Sequence, residues 1–310
     1  MIRTARDVIS FRLGSLKRKK RMQPIAPPRS KVEMMAEIKH LNAINAKVLE
    51  TAQYVVYFSP SKHLPNIMLE IARLREIAFR AIGEGTQKNM DIDRYDAYYH
   101  QLFLWDKQQN TIAGGYRIGL GKNIYQQYGL SGFYVASMFV VEKPAHHILA
   151  RGLELGRAFV CPEYQQKPLP LFLLWKGIRE VAKIEEGHDY MFGCVSISNA
   201  FNKRSKSIMI SFLRRYYFDN VLSQHIHPRK PFTLRGNLRA LKREIDGIQN
   251  NIKALDKLIA QQQPDGLHVP ILLKKYLKQN ARLVAFNIDP TFNNCLDGLM
   301  YIAIKDLPEE

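Results

Sequence analysis

One stretch constrains the fold more than any other. Residues 153–160 read Leu-Glu-Leu-Gly-Arg-Ala-Phe-Val, an apolar β-segment interrupted by Glu154 and Arg157. A short polar loop, Cys-Pro-Glu-Tyr-Gln-Gln-Lys, leads from it into an apolar helical run that begins at Pro168. Charges inside an apolar strand are costly unless paired, so these two either pair with each other or do work. On a flat strand, residues three apart point to opposite faces. A bulge at Gly156 would bring both side chains to one side and bend the strand. The helix start beyond the loop is an anion site, because its free N–H groups and its dipole favour a phosphate. Pro168 and Pro170 fit the first turn without wasting a donor, and Lys167 adds positive charge.

The rest of the chain extends this strand–loop–helix unit into an α/β pattern. β-branched and aromatic runs predict strands at 53–58, 99–105, 111–118, 133–141, 190–196, 282–288 and 299–304, with 106–110 as a hairpin turn. Helical periodicity predicts helices at 31–49, 65–82, 168–184 and 199–217, and one long amphipathic helix at 238–263. The order implies a mixed central sheet with helices on both faces. The long helix reads as an insertion, about 233–266, which packs on the sheet domain or covers a channel. No run of ~20 apolar residues is present to cross a membrane, and residues 1–21 lack a signal-peptide core. Cys161, Cys194 and Cys295 lie in apolar stretches without metal-ligand spacing, which suits reduced thiols in a cytoplasmic protein.

Forty-six Lys and Arg against 28 Asp and Glu give a net charge of +18. Such an excess implies an anionic partner: nucleic acid, an acidic protein or an anionic membrane. Residues 1–21 hold eight of the basic residues, around a stripe formed by Ile2, Ala5, Ile9, Leu13 and Leu16. That is the pattern of a short helix lying on anionic lipid, or else of a solvated basic tail. Pro24, Pro27 and Pro28 make the end of this segment, 1–30, a linker. The basic run 17–21 has no interleaved aromatics, and no nucleic-acid motif accompanies it.

Further candidates flank the central unit. Asp91, Asp93 and Asp96 precede a strand and read either as cleft acids or as turn caps. Glu70, Arg73, Arg75, Glu76 and Arg80 share helical faces, as an ion-pair surface would. The histidine pairs 146–147 and 225/227 lack a third ligand, so no metal is expected. Neither a GxSxG elbow nor a Walker loop occurs.

Taken together, the blocks Glu70-Ile-Ala-Arg-Leu-Arg-Glu76, Asp91-x-Asp93-x-x-Asp96, Ala113-Gly-Gly-Tyr-Arg117, Glu154-Leu-Gly-Arg157, Leu174-Trp-x-Gly-Ile178 and Phe192-Gly-Cys-Val-Ser196 resemble the GNAT-type N-acyltransferases of ornithine- and glycine-lipid synthesis, often labelled hemolysin-like. Pro270-x-Leu-Leu-Lys-x-Tyr-Leu277, Asp289-x-x-Phe292 and Asp297 continue the likeness. The spaced acids and the Glu-x-x-Arg also resemble acyl-homoserine-lactone synthases. The resemblance implies a GNAT fold and transfer of a long-chain, 3-hydroxy acyl group from acyl carrier protein to the α-amine of glycine or ornithine. It implies Glu154 as the base, directly or through water, with Arg157 beside it, and either Arg157 or Arg117 to hold the acceptor's carboxylate. It places the donor's phosphopantetheine arm along Phe159, Val160, Tyr164 and Lys167, and the acceptor near Arg73, Asp91, Asp93, Asp96 and Arg117. No permanently bound cofactor is implied; the acyl-phosphopantetheine is a substrate. The usual GNAT phosphate loop, Arg/Gln-x-x-Gly-x-Gly/Ala, is absent after Val160, which is compatible with a carrier-protein donor rather than coenzyme A. The implied partners are an acidic acyl carrier protein, the amino acid and an anionic membrane surface to which the cytoplasmic enzyme is peripheral. A coenzyme A-dependent acetyltransferase and a lactone synthase stand as alternatives, and a nucleic-acid partner is not implied.

Overall fold

The computed structural model describes residues 22–263 and 266–309. The basic N-terminal stripe therefore lies outside the described residues. The chain begins with α1 (Lys31–Ala43), β1 (Lys47–Glu50), β2 (Tyr54–Pro60) and α2 (Pro65–Ala81). The hairpin β3 (His100–Asp106) and β4 (Thr111–Leu120) leads to α3 (Gly121–Tyr128), β5 (Phe139–Val141) and α4 (His146–Ala150). The central unit follows as β6 (Gly152–Val160), α5 (Pro168–Ile184), β7 (Tyr190–Ile197) and α6 (Lys203–Tyr216). The last part holds β8 (Ile226–Pro228), α7 (Leu238–Ile248), α8 (Ile252–Gln262), α9 (Ile271–Lys278), β9 (Arg282–Asp289) and β10 (Cys295–Ala303).

Eight strands form one sheet in the order β1-β2-β3-β4-β6-β7-β10-β9, while β5 and β8 pair apart from it. All neighbours are antiparallel except β6 and β7, the only parallel pair in this sheet among the described residues. Alternation along β2 shows how the sheet is covered on both faces. Tyr57 turns to α1, its hydroxyl donating to Asn42 Oδ1 at 2.9 Å. Val56 turns to α5, where a Cβ at Gly177 would lie 2.7 Å from its Cγ1. Gly177 is thus the notch that lets α5 lie close to the strand.

Three expected elements differ. The helix expected at 31–49 ends at Ala43, because Asn45 takes a left-handed conformation (φ 56°) and turns the chain into β1. The strand expected at 133–141 is reduced to β5, because the Tyr134 and Val135 N–H groups are bonded to Glu154 rather than to a neighbouring strand. The long helix expected at 238–263 is two helices. Gln249 is left-handed (φ 49°), and the Asn251 side chain caps α8 by accepting from the Lys253 and Ala254 N–H groups. This helical pair buries Leu241, Ile245, Leu255 and Ile259 and packs on α6. No helix among the described residues is long and apolar enough to cross a membrane.

Candidate active site

The sheet forks between β6 and β7. They pair only through Gly152–Tyr190, Leu153–Met191 and Glu154–Phe192. Beyond that point β6 stays with β4 and β7 stays with β10, and no ladder joins their carboxyl halves. At the crotch of the fork, a Cβ on Gly193 would sit 2.0 Å from the Leu155 carbonyl oxygen, so the backbones touch where only glycine fits.

A bulge follows in β6. Its register with β4 steps from Arg117↔Gly156 to Gly115↔Phe159, so Arg157 and Ala158 together oppose Tyr116. Arg157 itself is left-handed (φ 50°), a costly conformation for a side-chain-bearing residue. The bulge lies one residue beyond the expected Gly156. Glu154 and Arg157 both reach a cavity of about 560 Å³ that spans the fork. Its apolar lining includes Phe79, Ile82, Phe201, Leu272, Tyr276 and Phe292.

Glu154 is buried. Its Oε1 accepts from the Val135 N–H at 2.8 Å, and its Oε2 accepts from the Tyr134 N–H at 3.1 Å and from the Tyr99 hydroxyl. Three of a carboxylate's ~four acceptor positions are filled, leaving about one for a ligand. Burial pushes this acid up to about 7, against the lowering effect of those hydrogen bonds.

Arg157 is held from behind. Its Nε lies 2.8 Å from Asp91 Oδ2 and its Nη2 3.2 Å from Asp93 Oδ2. Its guanidinium sits 4.7 Å above the Tyr134 ring and 5.2 Å from that of Phe292. Asp93 also meets Arg117 at 2.6 Å, Arg117 meets Asp96 at 3.2 Å, and Asp96 meets Arg75 at 2.8 Å. Three arginines and three aspartates thus alternate in one largely buried chain. Burial alone would raise Asp96, but Arg75 and Arg117 overcome it and hold the acid well below its usual range.

Two further acids are pushed up by burial. Asp297 on β10 accepts from Ser196 Oγ at 2.7 Å and is raised to about 7. Glu84, just after α2, is raised to about 8 by burial and by Asp297. Asp289 at the end of β9 accepts from the Tyr134 hydroxyl at 3.1 Å. All three line the cavity. Cys194 lines it too, but burial, Asp297 and Glu154 push its thiol well above its ordinary value, so it is not a thiolate nucleophile at neutral pH.

Residues 74–175 match the family model described as the acetyltransferase (GNAT) domain. A glycine N(alpha)-acyltransferase of Phocaeicola vulgatus is 31% identical over 93% of this chain and 91% of its own length. The chain belongs to the GNAT-type N-acyltransferases. An L-ornithine N(alpha)-acyltransferase of Rhizobium meliloti is 33% identical over 45% of this acyltransferase and 47% of its own chain. Among solved structures, the loading GNATL domain of CurA from Lyngbya majuscula covers 81% of this chain and 98% of its own, at 13% identity and a TM-score of 0.39.

The acyltransferase's fold brings Glu154 and Arg157 together, but it does not bring every expected residue to the cavity. Arg73 forks onto Glu70 at 2.6 and 2.8 Å. Asp91, Asp93, Asp96 and Arg117 are engaged in the ion-pair chain behind Arg157, so none of these five forms the cavity lining expected of acceptor contacts. Phe159, Val160, Tyr164 and Lys167 lie past the bulge, on the way from β6 to the start of α5. There Tyr164 donates to Asp106 at 3.0 Å, and the Lys167 ammonium lies 4.6 Å over the Tyr164 ring. Asp289 and Asp297 carry no role among the sequence-based expectations, and Glu84 is not one of the expected residues. A signal was available for Asp297, a charge in the apolar strand 295–303, as Glu154 is in its own.

Proposed function

We propose that this acyltransferase transfers a long acyl chain from the phosphopantetheine thioester of acyl carrier protein to the α-amine of an amino acid, with glycine as the first acceptor to test. The observation that carries the reading is the fork cavity: it is apolar enough for an acyl chain and is lined both by an acid raised to about 7 and by the Arg157 guanidinium. Glycine is favoured because the relative of that name matches almost end to end, whereas the ornithine relative matches less than half.

An amino acid's amine is protonated near neutral pH and must lose a proton before it attacks. Glu154, with about one acceptor position open, takes that proton directly or through a water. The amine lone pair then forms the C–N bond as the C–S bond breaks, and the nitrogen's second proton passes to the departing pantetheine thiolate, which leaves as the thiol. N–H groups on the free edge of β6 polarise the thioester carbonyl. Arg157, aimed by Asp91 and Asp93, pairs with the acceptor's carboxylate. The pantetheine arm runs along Phe159 and Val160 towards Tyr164, Lys167 and the start of α5. The excess of basic residues steers an acidic carrier protein to the surface, and the stripe within residues 1–21 keeps the enzyme at the inner face of an anionic membrane, where its lipid product partitions.

The test is product analysis by mass spectrometry with 3-hydroxyacyl carrier protein, long-chain acyl-coenzyme A and acetyl-coenzyme A as donors, each against glycine and ornithine. N-acyl glycine formed from the carrier-protein donor is the expected result. Absence of any N-acyl amino acid across all pairs overturns the reading.

A further inference from the structure

We propose that Glu84 and Asp297 form the seat that receives the acceptor's ammonium group, in the cavity that Glu154 and Arg157 also line. The inference rests on reading that cavity as the amine-acylating site.

The turn that carries Glu84 is built to hold it in place. Glu84 stands between two left-handed glycines, Gly83 (φ +74°) and Gly85 (φ +97°). Ser198 Oγ at the end of β7 donates to the Ile82 carbonyl at 2.7 Å, and Asn293 Nδ2 in the β9–β10 turn donates to the Gly83 carbonyl at 2.7 Å. Beyond the turn, the Thr86 and Gln87 N–H groups bind the Glu76 carboxylate at 3.0 and 2.8 Å. The segment is thus pinned from two strands and from α2. What it delivers to the cavity is a carboxylate on a residue only 5% exposed, with no hydrogen-bond or ion-pair partner among the described residues. A buried acid without a partner is destabilising, so a turn that maintains one is shaped for a guest.

The charge balance says which guest. Among the described residues, four acids line the cavity, Glu84, Glu154, Asp289 and Asp297, against the single guanidinium of Arg157. Arg157 is already matched by Asp91 and Asp93. Burial favours the protonated forms of Glu84, Asp297 and Glu154, and a cationic guest reverses that by stabilising their carboxylates. A compact ammonium with three donors suits two adjacent carboxylates, and a zwitterion can present its own carboxylate to Arg157 at the same time. Asp297, aimed by Ser196, is the fixed member of the pair and Glu84 the open one.

The experiment is steady-state kinetics on Glu84→Gln and Asp297→Asn with glycine and long-chain acyl carrier protein, beside calorimetric titration of glycine and of acetate into donor-free enzyme. Each variant is expected to raise the glycine KM at least about tenfold and to leave the donor KM unchanged. The wild-type preference for glycine over acetate should collapse in both. Two folded variants that keep the wild-type glycine KM and glycine affinity overturn the proposal. Titration needs no turnover, so a wild-type enzyme that binds glycine through these acids yet makes no N-acyl product refutes the function proposed above and leaves the seat standing.

Discussion

A carboxylate that accepts two backbone N–H bonds and a tyrosine hydroxyl cannot be exchanged silently for an amide. In Glu154→Gln the new NH2 group must face at least one of these donors, and a buried donor loses its partner. The variant should lose acyl transfer and also about 1–3 kcal/mol of stability. Turnover assays run beside thermal melts check both, and unchanged turnover removes Glu154 from the base role. Glu84 should behave in the opposite sense. Its carboxyl is raised from 4.5 to about 8, chiefly by burial. A raised folded value means that its contribution is intact below the unfolded value and is lost as pH climbs through the folded one. Glu84→Gln, which stays neutral, should therefore melt above wild type by a margin that widens between about pH 4.5 and 8 and is level beyond. Melting curves across that range test it; a constant margin contradicts the assignment. Residues of the two kinds were not equally legible. Glu154 and Arg157 stand out because charge interrupts an apolar strand. Glu84 does not, since a lone acid between glycines reads as an ordinary turn until the fold shows it enclosed and unpaired.

At the level of elements, the working feature is a parallel pair that stops pairing. Gly193 sets where it stops. Gly193→Ala would place a methyl carbon 2.0 Å from the Leu155 carbonyl, so the backbones must part at the crotch of the fork. The expected outcome is a loss of stability comparable to other overpacked core sites, about 1–3 kcal/mol, together with loss of acyl transfer. Wild-type melting and turnover would show that the close approach is not required. Helix α8 acts at a distance on the same cavity. Its Asp256 accepts from the Val269 N–H at 2.8 Å and meets the Lys274 ammonium at 3.2 Å, which fixes the segment 267–272 on the cavity wall. Helix α8 thus braces that wall. Periodicity found the helix over 168–184 and the strand at its head, because local apolar spacing decides both. It failed at 133–138, where the backbone donors serve a carboxylate some twenty residues away, and at 249–251, where three polar residues permit either a continuous helix or a corner.

For the whole molecule, the net charge is +18 and residues 1–21 hold eight of the Lys and Arg, whereas four acids line the cavity among the described residues. Removing those residues while keeping Gln23, whose backbone N–H donates to the Gln87 carbonyl at 3.0 Å, should weaken binding to anionic vesicles and leave turnover on soluble substrates unchanged. Sedimentation with anionic and neutral vesicles reads this directly, and equal binding by the full and shortened chains rules out the anchor.

An acidic recess of this kind has a bearing on how the catalytic cycle ends. On the proposed reading the acceptor enters with a positive nitrogen, and acylation converts that nitrogen to a neutral amide. Glu84 and Asp297 would then face no complementary charge on the product, so the chemistry itself would loosen the grip that held the guest.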